Sequence, residues 1–149
     1  MNKYMQMALD SAYEGIKNKD GGPFGAAIVK NGEVIAVAHN MVLRTNDPTN
    51  HAEIVAIRSA CKKLNTYDLT GCSIYATGEP CPMCLSAIIW SNIKDIHFGA
   101  GRDIANDIGF RDKDIYEYLD GKNNINLHVE QIDSSECSKI FSDYKNVIY

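Results

Sequence analysis

Two short motifs, about thirty residues apart, constrain this chain more than any other feature of it. One begins with His51 and has a glutamate, Glu53, two positions later; the other is Cys81-Pro-Met-Cys84. A histidine and two cysteines are typical zinc ligands, and three protein ligands are one fewer than a structural site needs. The fold must therefore bring both motifs to one metal ion, with a coordination position left for water.

The residues around these ligands predict that both motifs lie at the starts of helices. Pro80 and Pro82 flank the first cysteine, and proline suits a helix start because its missing N–H has no helical partner there. Residues two apart do not face the same way inside a helix, so His51 and Glu53 reach one cavity only if His51 precedes the first turn. At a helix start, the helix dipole and a metal both favour thiolate over thiol.

Glu53 is left free for proton transfer, because three other residues hold the metal. Zinc lowers the pKa of bound water from about 15.7 to around 7, and a nearby carboxylate can take the proton that this water loses. A redox Cys-x-x-Cys pair and half of a zinc finger are the alternative interpretations. A finger needs a fourth ligand at finger spacing, which the remaining candidates do not offer: His39, His97, His128, Cys61, Cys72 and Cys137.

Hydrophobic patterns along the chain predict an α/β fold. Apolar residues at helical spacing predict helices at 2–17, 51–64, 81–90, 112–119 and 135–147. Apolar runs bounded by turns predict strands at 24–30, 33–38, 72–77, 95–99 and 127–132, with a loop or short helix at 103–109. This order predicts a three-layer α/β/α sandwich around a central five-stranded mixed sheet, in one domain of residues 1–149.

Two local features refine the prediction for the first two strands. Asn31-Gly32 separates two apolar runs, and Asn-Gly is the preferred sequence of a two-residue hairpin turn that needs positive φ at both positions. Gly25 and Ala26 are small where a strand usually carries bulk. Another part of the chain is therefore expected to approach this strand closely.

Composition limits the partners and the location of the protein. The chain has 149 residues, a formal net charge of −4 and a pI near 5.5, which argues against a polyanion-binding surface but leaves room for a local basic patch. No apolar run is long enough to span a membrane, and the N-terminus lacks a signal-peptide pattern. Five cysteines, an odd number, argue against a disulfide framework. A cytoplasmic location is expected.

The two motifs together resemble the signature of the zinc-dependent nucleobase and nucleoside deaminases, His-x-Glu followed by Pro-Cys-x-x-Cys. Within this cytidine/deoxycytidylate-type superfamily, the chain is most similar to the bacterial guanine deaminases. The similarity covers most of the chain and includes Gly21–Ala26, Asn46–Thr49, Glu79–Cys84, Gly109–Asp112, Ile115–Tyr116 and the terminal Tyr149. It implies a cytidine deaminase-like fold and the hydrolysis of guanine to xanthine and ammonia.

The resemblance also implies a role for each site residue. His51, Cys81 and Cys84 would hold one Zn²⁺ per subunit, Glu53 would carry a proton from water to the purine, and Asp112 would help protonate the departing amino group. The implied purine-binding groups are Asn40, the backbone N–H of Ala52, Phe24, Trp90 and Tyr149. Tyr149 would enter the site of a neighbouring subunit, because the family's homodimer exchanges its C-terminal segment.

Two departures from the family and three other functions need to be weighed. Gly78 stands where some members carry a further cysteine, and Arg111 replaces an acidic residue beside Asp112. A tRNA adenosine deaminase has similar zinc motifs, but a basic rim is expected of it, whereas acidic residues are interleaved through the C-terminal third of this chain. A cytosine or other small-heterocycle deaminase would use the same apparatus. A non-enzymatic zinc-stabilised module would leave Glu53 without a role.

Overall fold

A mixed four-stranded sheet forms the frame of the protein in a computed structural model that describes residues 1–149. The strands lie in the order β2–β1–β3–β4, with β1 antiparallel to both its neighbours and β3 parallel to β4. Their bounds are Gly25–Lys30 for β1, Glu33–His39 for β2, Cys72–Gly78 for β3 and Asp95–Ala100 for β4.

Seven helices surround this sheet, and most of them occur where the sequence predicts them. The helices α1 to α7 span Lys3–Lys17, Val42–Thr45, Ala52–Leu64, Pro82–Trp90, Arg102–Asp107, Asp112–Leu119 and Ser134–Asp143. The short α2 is an addition to the prediction, in a segment that reads as a turn. The last helix ends at Asp143, four residues before the predicted end at residue 147.

The hairpin between β1 and β2 has the geometry that its sequence predicts. Asn31 and Gly32 have φ values of 49° and 78°, and Lys30 pairs with Glu33 directly across the turn. A two-residue turn with positive φ at both positions matches the right-handed twist of the strands on either side.

One face of the sheet is covered by α1, and Gly25 permits the contact. A Cβ atom at this position would lie 1.9 Å from the carbonyl oxygen of Ala8 and 3.2 Å from the Cβ atom of Ala12. The close approach expected from the small residues of β1 is therefore confirmed, and the element that approaches is α1.

The main hydrophobic core lies between the other face of the sheet and the helices α3 and α4. Side chains alternate along a strand, so Ala26 and Ile28 of β1 face this core while Gly25 and Ala27 face α1. The helices contribute small residues of α3 and one isoleucine of α4: Ala52, Ala56, Ala60 and Ile88. This packing fixes the N-termini of α3 and α4, where both predicted metal motifs lie.

The predicted fifth strand is wrong: the sheet has four strands, and residues 127–132 form no ladder. Their apolar pattern fits a strand, but a strand needs a neighbour to receive its backbone hydrogen bonds. In the single chain this segment lies apart from the sheet, with Leu127 and Val129 exposed. No helix is long and apolar enough to cross a membrane.

Candidate metal centre and its pocket

The three predicted metal ligands meet at the N-termini of two helices. His51 is the N-cap of α3, with an extended backbone at φ −66° and ψ 160°, so it lies before the first helical turn as its spacing from Glu53 requires. Cys81 is the N-cap of α4, and its sulfur accepts a hydrogen bond from the backbone N–H of Cys84. Side chains at two helix starts therefore converge on one point.

The distances between the ligand atoms fit zinc. The Nδ1 atom of His51 lies 3.6 Å from Sγ of Cys81 and 3.5 Å from Sγ of Cys84, and all three atoms lie within 4.8 Å of one another. Zinc bonds of about 2.3 Å to sulfur and about 2.05 Å to nitrogen, at tetrahedral angles, separate these atoms by about 3.6 Å. The two distances from His51 to the sulfurs therefore match those of ligands that share one zinc ion.

The two thiols of the centre differ in acidity. Hydrogen bonds from Cys84 and His51 lower the pKa of Cys81 to about 4. The neighbouring Cys81 sulfur and burial raise the pKa of Cys84 above its ordinary value. A divalent cation bound between the two sulfurs would stabilise both thiolates, because metal binding releases the protons of its cysteine ligands.

Glu53 lies in the first turn of α3 and is buried beside the ligands. Burial raises the pKa of its carboxyl group above its ordinary value. The carboxylate lines the same pocket as His51 and Cys81. The structure thus brings Glu53 to the open side of the metal centre, as the spacing of the motif predicts.

A cavity of about 380 Å³ opens from the metal centre and has a mixed polar and apolar lining. Besides His51, Glu53 and Cys81, its walls comprise Gly21, Gly22, Phe24, Asn40, Val42, Leu43, Pro48, Gly78, Glu79, Phe110, Arg111 and Asp112. Three of the residues predicted to act beside the zinc ligands line this cavity: Phe24, Asn40 and Asp112. A fourth, Ala52, is fully buried next to His51.

Asn40 and Ala52 both have a hydrogen-bond donor left free. The side-chain oxygen of Asn40 accepts the N–H of Val42 at 3.0 Å, while its Nδ2 makes no hydrogen bond within the chain. Ala52 is the first residue of α3, so its backbone N–H has no helical acceptor. Phe24 packs edge-on against Phe110, with the ring centres 4.9 Å apart. Donors and an aromatic wall are suited to a flat heterocycle.

Asp112 begins α6 and faces the pocket across from the metal ligands. Burial, and next the negative charge of Cys81, raise the pKa of its carboxyl group. Asp114, two residues further on, is not part of the pocket lining. The geometry therefore distinguishes the two carboxylates, which the sequence distinguishes only through the family resemblance.

Trp90 and Tyr149 lie outside the pocket of their own chain. Trp90 ends α4, at the opposite end of the helix from the metal ligands. The ring of Tyr149 lies near both Trp90 and Tyr67, with ring centres 6.2 Å and 6.0 Å apart. Trp90, which is predicted to line a face of the purine, does not belong to the pocket lining of its own chain. The predicted role of Tyr149 depends on a neighbouring subunit, and both roles stay predictions.

The sequence analysis did not predict one cluster of residues, which connects two parts of the pocket wall: the segment that contains Glu79 and the helix α6 that begins with Asp112. Arg102 pairs with Glu79 at 2.9 Å and stacks over the ring of Tyr116, 3.9 Å from the ring centre. The hydroxyl of Tyr116 donates to the carbonyl oxygen of Pro80 at 2.9 Å. The cluster joins the cysteine loop, defined as residues 79–81, to α6, which carries Asp112. A lone arginine has no sequence signal for such a role.

Two thiolates and an imidazole beside an open pocket, with a buried carboxylate next to them, define a zinc centre of the hydrolytic class. Residues 1–100 match the family model of the cytidine and deoxycytidylate deaminase zinc-binding region. The chain belongs to this family of zinc-dependent deaminases.

The individual relatives are of two kinds, guanine deaminases and tRNA-specific adenosine deaminases. The chain is 47% identical over 117 residues to the guanine deaminase of Bacillus subtilis (strain 168), covering 78% of this chain and 75% of the relative. The crystal structure of a Bacillus subtilis guanine deaminase covers 100% of this chain and 99% of its own, with a TM-score of 0.87 and 38% identity.

Two further relatives match a smaller part of the chain. The tRNA-specific adenosine deaminase of Aquifex aeolicus (strain VF5) is 46% identical over 97 residues, which are 65% of this chain and 64% of the relative. The guanine deaminase of Nitrosomonas europaea has a TM-score of 0.69 at 34% identity, over 73% of this chain and 63% of its own.

Proposed function

We propose that the protein hydrolyses guanine to xanthine and ammonia at this zinc centre. The observation that carries the proposal is the full-length structural match to a guanine deaminase, which includes the C-terminal third as well as the zinc-binding region. The third of the chain beyond residue 100 lies outside the matched family region, and it supplies Phe110, Arg111 and Asp112 to the pocket wall.

His51, Cys81 and Cys84 would hold the zinc ion, which would supply a nucleophile at neutral pH because zinc lowers the pKa of a coordinated water to about 7. Glu53 accepts the proton that this water loses and returns it to the ring nitrogen beside the attacked carbon of guanine. A carboxylate whose pKa is raised by burial suits both steps, since a shuttle works best when its pKa lies near the operating pH.

Asp112 assists the second half of the reaction. When the bond between C2 of guanine and its amino nitrogen breaks, this nitrogen must leave as ammonia and so must gain a proton. The raised pKa of Asp112 favours a carboxyl group that holds a proton at higher pH than an exposed aspartate does. The water oxygen stays on C2, and the products are xanthine and ammonia.

Purine recognition is assigned to the free donors and the aromatic wall. The Nδ2 group of Asn40 and the N–H of Ala52 are suited to acceptor atoms on the ring, and Phe24 is suited to its flat face. A crystal structure of the related protein NE0047 contains 2,6-diaminopurine, a purine that carries an amino group on C2 as guanine does. The nucleobase is therefore the proposed substrate, and no nucleic acid is required.

We further propose a homodimer that exchanges its C-terminal arm, defined as residues 126–149. Every residue of the arm is exposed in the single chain, including Ile140 and Phe141 of α7. An apolar groove of about 320 Å³ between α1 and α5 shares Phe24 and Gly78 with the substrate pocket. An α7 helix seated there would bring the Tyr149 of its own chain beside the pocket, where it could close over the purine.

The zinc ligands also suit a particular compartment. Thiolate ligands survive where cysteines are kept reduced, and all five cysteines of the chain are free. We therefore place the reaction in the cytoplasm.

The deciding measurement is ammonia release from guanine, adenine, cytosine, cytidine, guanosine and an adenosine-containing tRNA stem-loop. Guanine is expected to react far faster than the others, because a pocket that hydrogen-bonds one substrate rejects an analogue without the matching group by roughly 10⁴. Turnover of the stem-loop with inert guanine would assign the protein to the tRNA-editing branch. Zinc content, measured in parallel, tests the metal assignment separately.

A further inference from the structure

A buried carboxylate outside the metal centre, Asp20, lies where three segments of the pocket wall meet. Asp20 precedes Gly21 and Gly22 of the pocket lining and is 5% exposed. It has no role in the proposed chemistry, since the cavity lining does not include it. Burial of a carboxylate is costly unless hydrogen bonds compensate for its lost hydration, so its partners indicate what it stabilises.

The Asp20 carboxylate accepts hydrogen bonds from two side chains. One oxygen lies 2.7 Å from Nε of Arg44 and the other lies 2.8 Å from Nε2 of His39. The other ring nitrogen of His39 lies 3.0 Å from the hydroxyl oxygen of Ser11 on α1. Both carboxylate oxygens are therefore used, and His39 is held on both sides of its ring.

The backbone of Asp20 extends the same network. Its carbonyl oxygen accepts the N–H groups of Leu43 and Arg44 at 3.0 Å and 2.9 Å, and its own N–H donates to the carbonyl oxygen of Gly15. Arg44 also donates to the carbonyl oxygen of Asn18 at 3.1 Å. One residue thus joins the end of α1 to α2, the short helix whose residues Val42 and Leu43 line the pocket.

Two parts of this network hold Asn40 in place: His39, its neighbour in the chain, and the backbone at Gly21. It follows His39 directly in the chain, and its N–H donates to the carbonyl oxygen of Phe24. A Cβ atom on Gly21 would lie 2.1 Å from the side-chain oxygen of Asn40, so the backbone after Asp20 touches the amide group itself. A displacement at Asp20 would therefore reach the Nδ2 donor of Asn40 through both neighbours.

We propose that Asp20 is a positioning residue that sets substrate affinity by holding Asn40 and the Val42–Leu43 wall in place through His39 and Arg44. The proposal rests on the purine-binding role proposed for Asn40. It differs from a purely structural role, because the network ends on pocket residues and leaves the metal ligands untouched.

The test compares Asp20→Asn with wild type, using the substrate of the panel that wild type turns over. Asparagine keeps the shape but cannot accept from both partners, so KM is expected to rise about tenfold. The expected kcat stays within about threefold of wild type, with one zinc per chain. Arg44→Gln repeats the test at an exposed side chain, where folding is not at risk, and is expected to raise KM by about threefold.

Asp68→Asn is the control, because the carboxylate of Asp68 accepts three hydrogen bonds, from Thr70 and Asn92, but is exposed and lies outside the pocket. It is expected to leave KM unchanged. A double variant with Asn40→Ala adds the decisive comparison: Asp20→Asn should raise KM little further once the Asn40 amide is gone.

An unchanged KM in both Asp20→Asn and Arg44→Gln, or full additivity with Asn40→Ala, would overturn the proposal. So would a fall in kcat that tracks a loss of folded protein at constant KM. Failure of the proposed function is a separate result, since it would be seen in wild type as absent guanine turnover. The variant ratios can then be measured with whichever base does react.

Discussion

The region up to Ile93 and the region after it differ in how they are stabilised. All 28 buried residues lie between Ala8 and Ile93, and none lies in the C-terminal region, residues 94–149. The N-terminal region, residues 1–93, contains every metal ligand and Glu53, while the C-terminal region contributes one wall of the pocket. The metal centre therefore belongs to the part with its own core, while one wall of the pocket, which includes Asp112, belongs to a part without buried residues of its own.

The largest effect is expected from Glu53→Gln, which tests whether the N-terminal region carries the chemistry. The amide cannot shuttle a proton, so kcat should fall about 10³-fold, while zinc content stays at one per chain. Measurement of turnover and of zinc by atomic absorption checks both expectations. Loss of zinc from this variant would make Glu53 a ligand and would contradict the proton-shuttle role.

Removal of the C-terminal arm after Ile125 tests the other side of the comparison. The truncated chain is expected to keep its zinc, because every metal ligand lies in the N-terminal region, but to become a monomer with activity reduced about 10- to 100-fold. Light scattering and steady-state kinetics are the measurements. Tyr149→Ala, with the arm retained, should raise KM without changing the oligomeric state. A fully active monomer would count against the exchanged arm.

The two regions also differ in how well the sequence predicts them. Short sequence signals predict three features of the N-terminal region. These are the hairpin at Asn31-Gly32, the close contact at Gly25 and the metal centre, and their signals are a turn dipeptide, small residues and the spacing of the ligands within each motif. The apolar pattern at 127–132 fits a strand, but a strand depends on a neighbour that no local pattern specifies.

The features of the site that could not be predicted from the sequence are pairs of side chains that lie far apart in the chain. Glu79 lines the pocket and pairs at 2.9 Å with Arg102, which lies on a different element far along the chain. His39 and Asp20 lie 19 positions apart and meet at 2.8 Å, a contact that only the folded sheet creates. Such pairs carry no spacing signature.

Arg102→Gln should have a smaller effect than removal of the arm, because it loosens one connection between the two regions. Without the cation, α6 is joined to the loop before α4 only by the hydrogen bond from Tyr116 to Pro80, and Asp112 loses part of its support. We expect kcat to fall about fivefold, or about 1 kcal/mol, which is the upper range for a partly exposed ion pair, with little change in zinc content. Stopped-flow or steady-state ammonia release checks this.

Two further variants make the Arg102 experiment specific. Arg102→Lys should fail to restore activity, since lysine cannot both pair with Glu79 and lie flat on Tyr116. Lys122→Gln removes another ion pair of α6, with Glu117, and should leave kcat unchanged. Equal losses in Lys122→Gln and Arg102→Gln would mean that any weakening of α6 matters, and not this link.

The smallest expected effect is a change in the stability of the fold at acid pH. It concerns Asp20 and therefore tests the N-terminal region alone. Hydrogen bonds from Arg44, and next from His39, hold the pKa of the Asp20 carboxyl below its usual range. Because the folded-state pKa is the lower one, the stability that this carboxylate contributes is present above the unfolded pKa of about 3.9. This contribution is lost as the pH falls through the folded-state value. Melting temperatures of wild type and Asp20→Asn should therefore differ by a few degrees at pH 6 and converge towards pH 3. A difference that stays constant over this range would mean that the charge of Asp20 does not stabilise the fold, and that its hydrogen bonds act through shape alone.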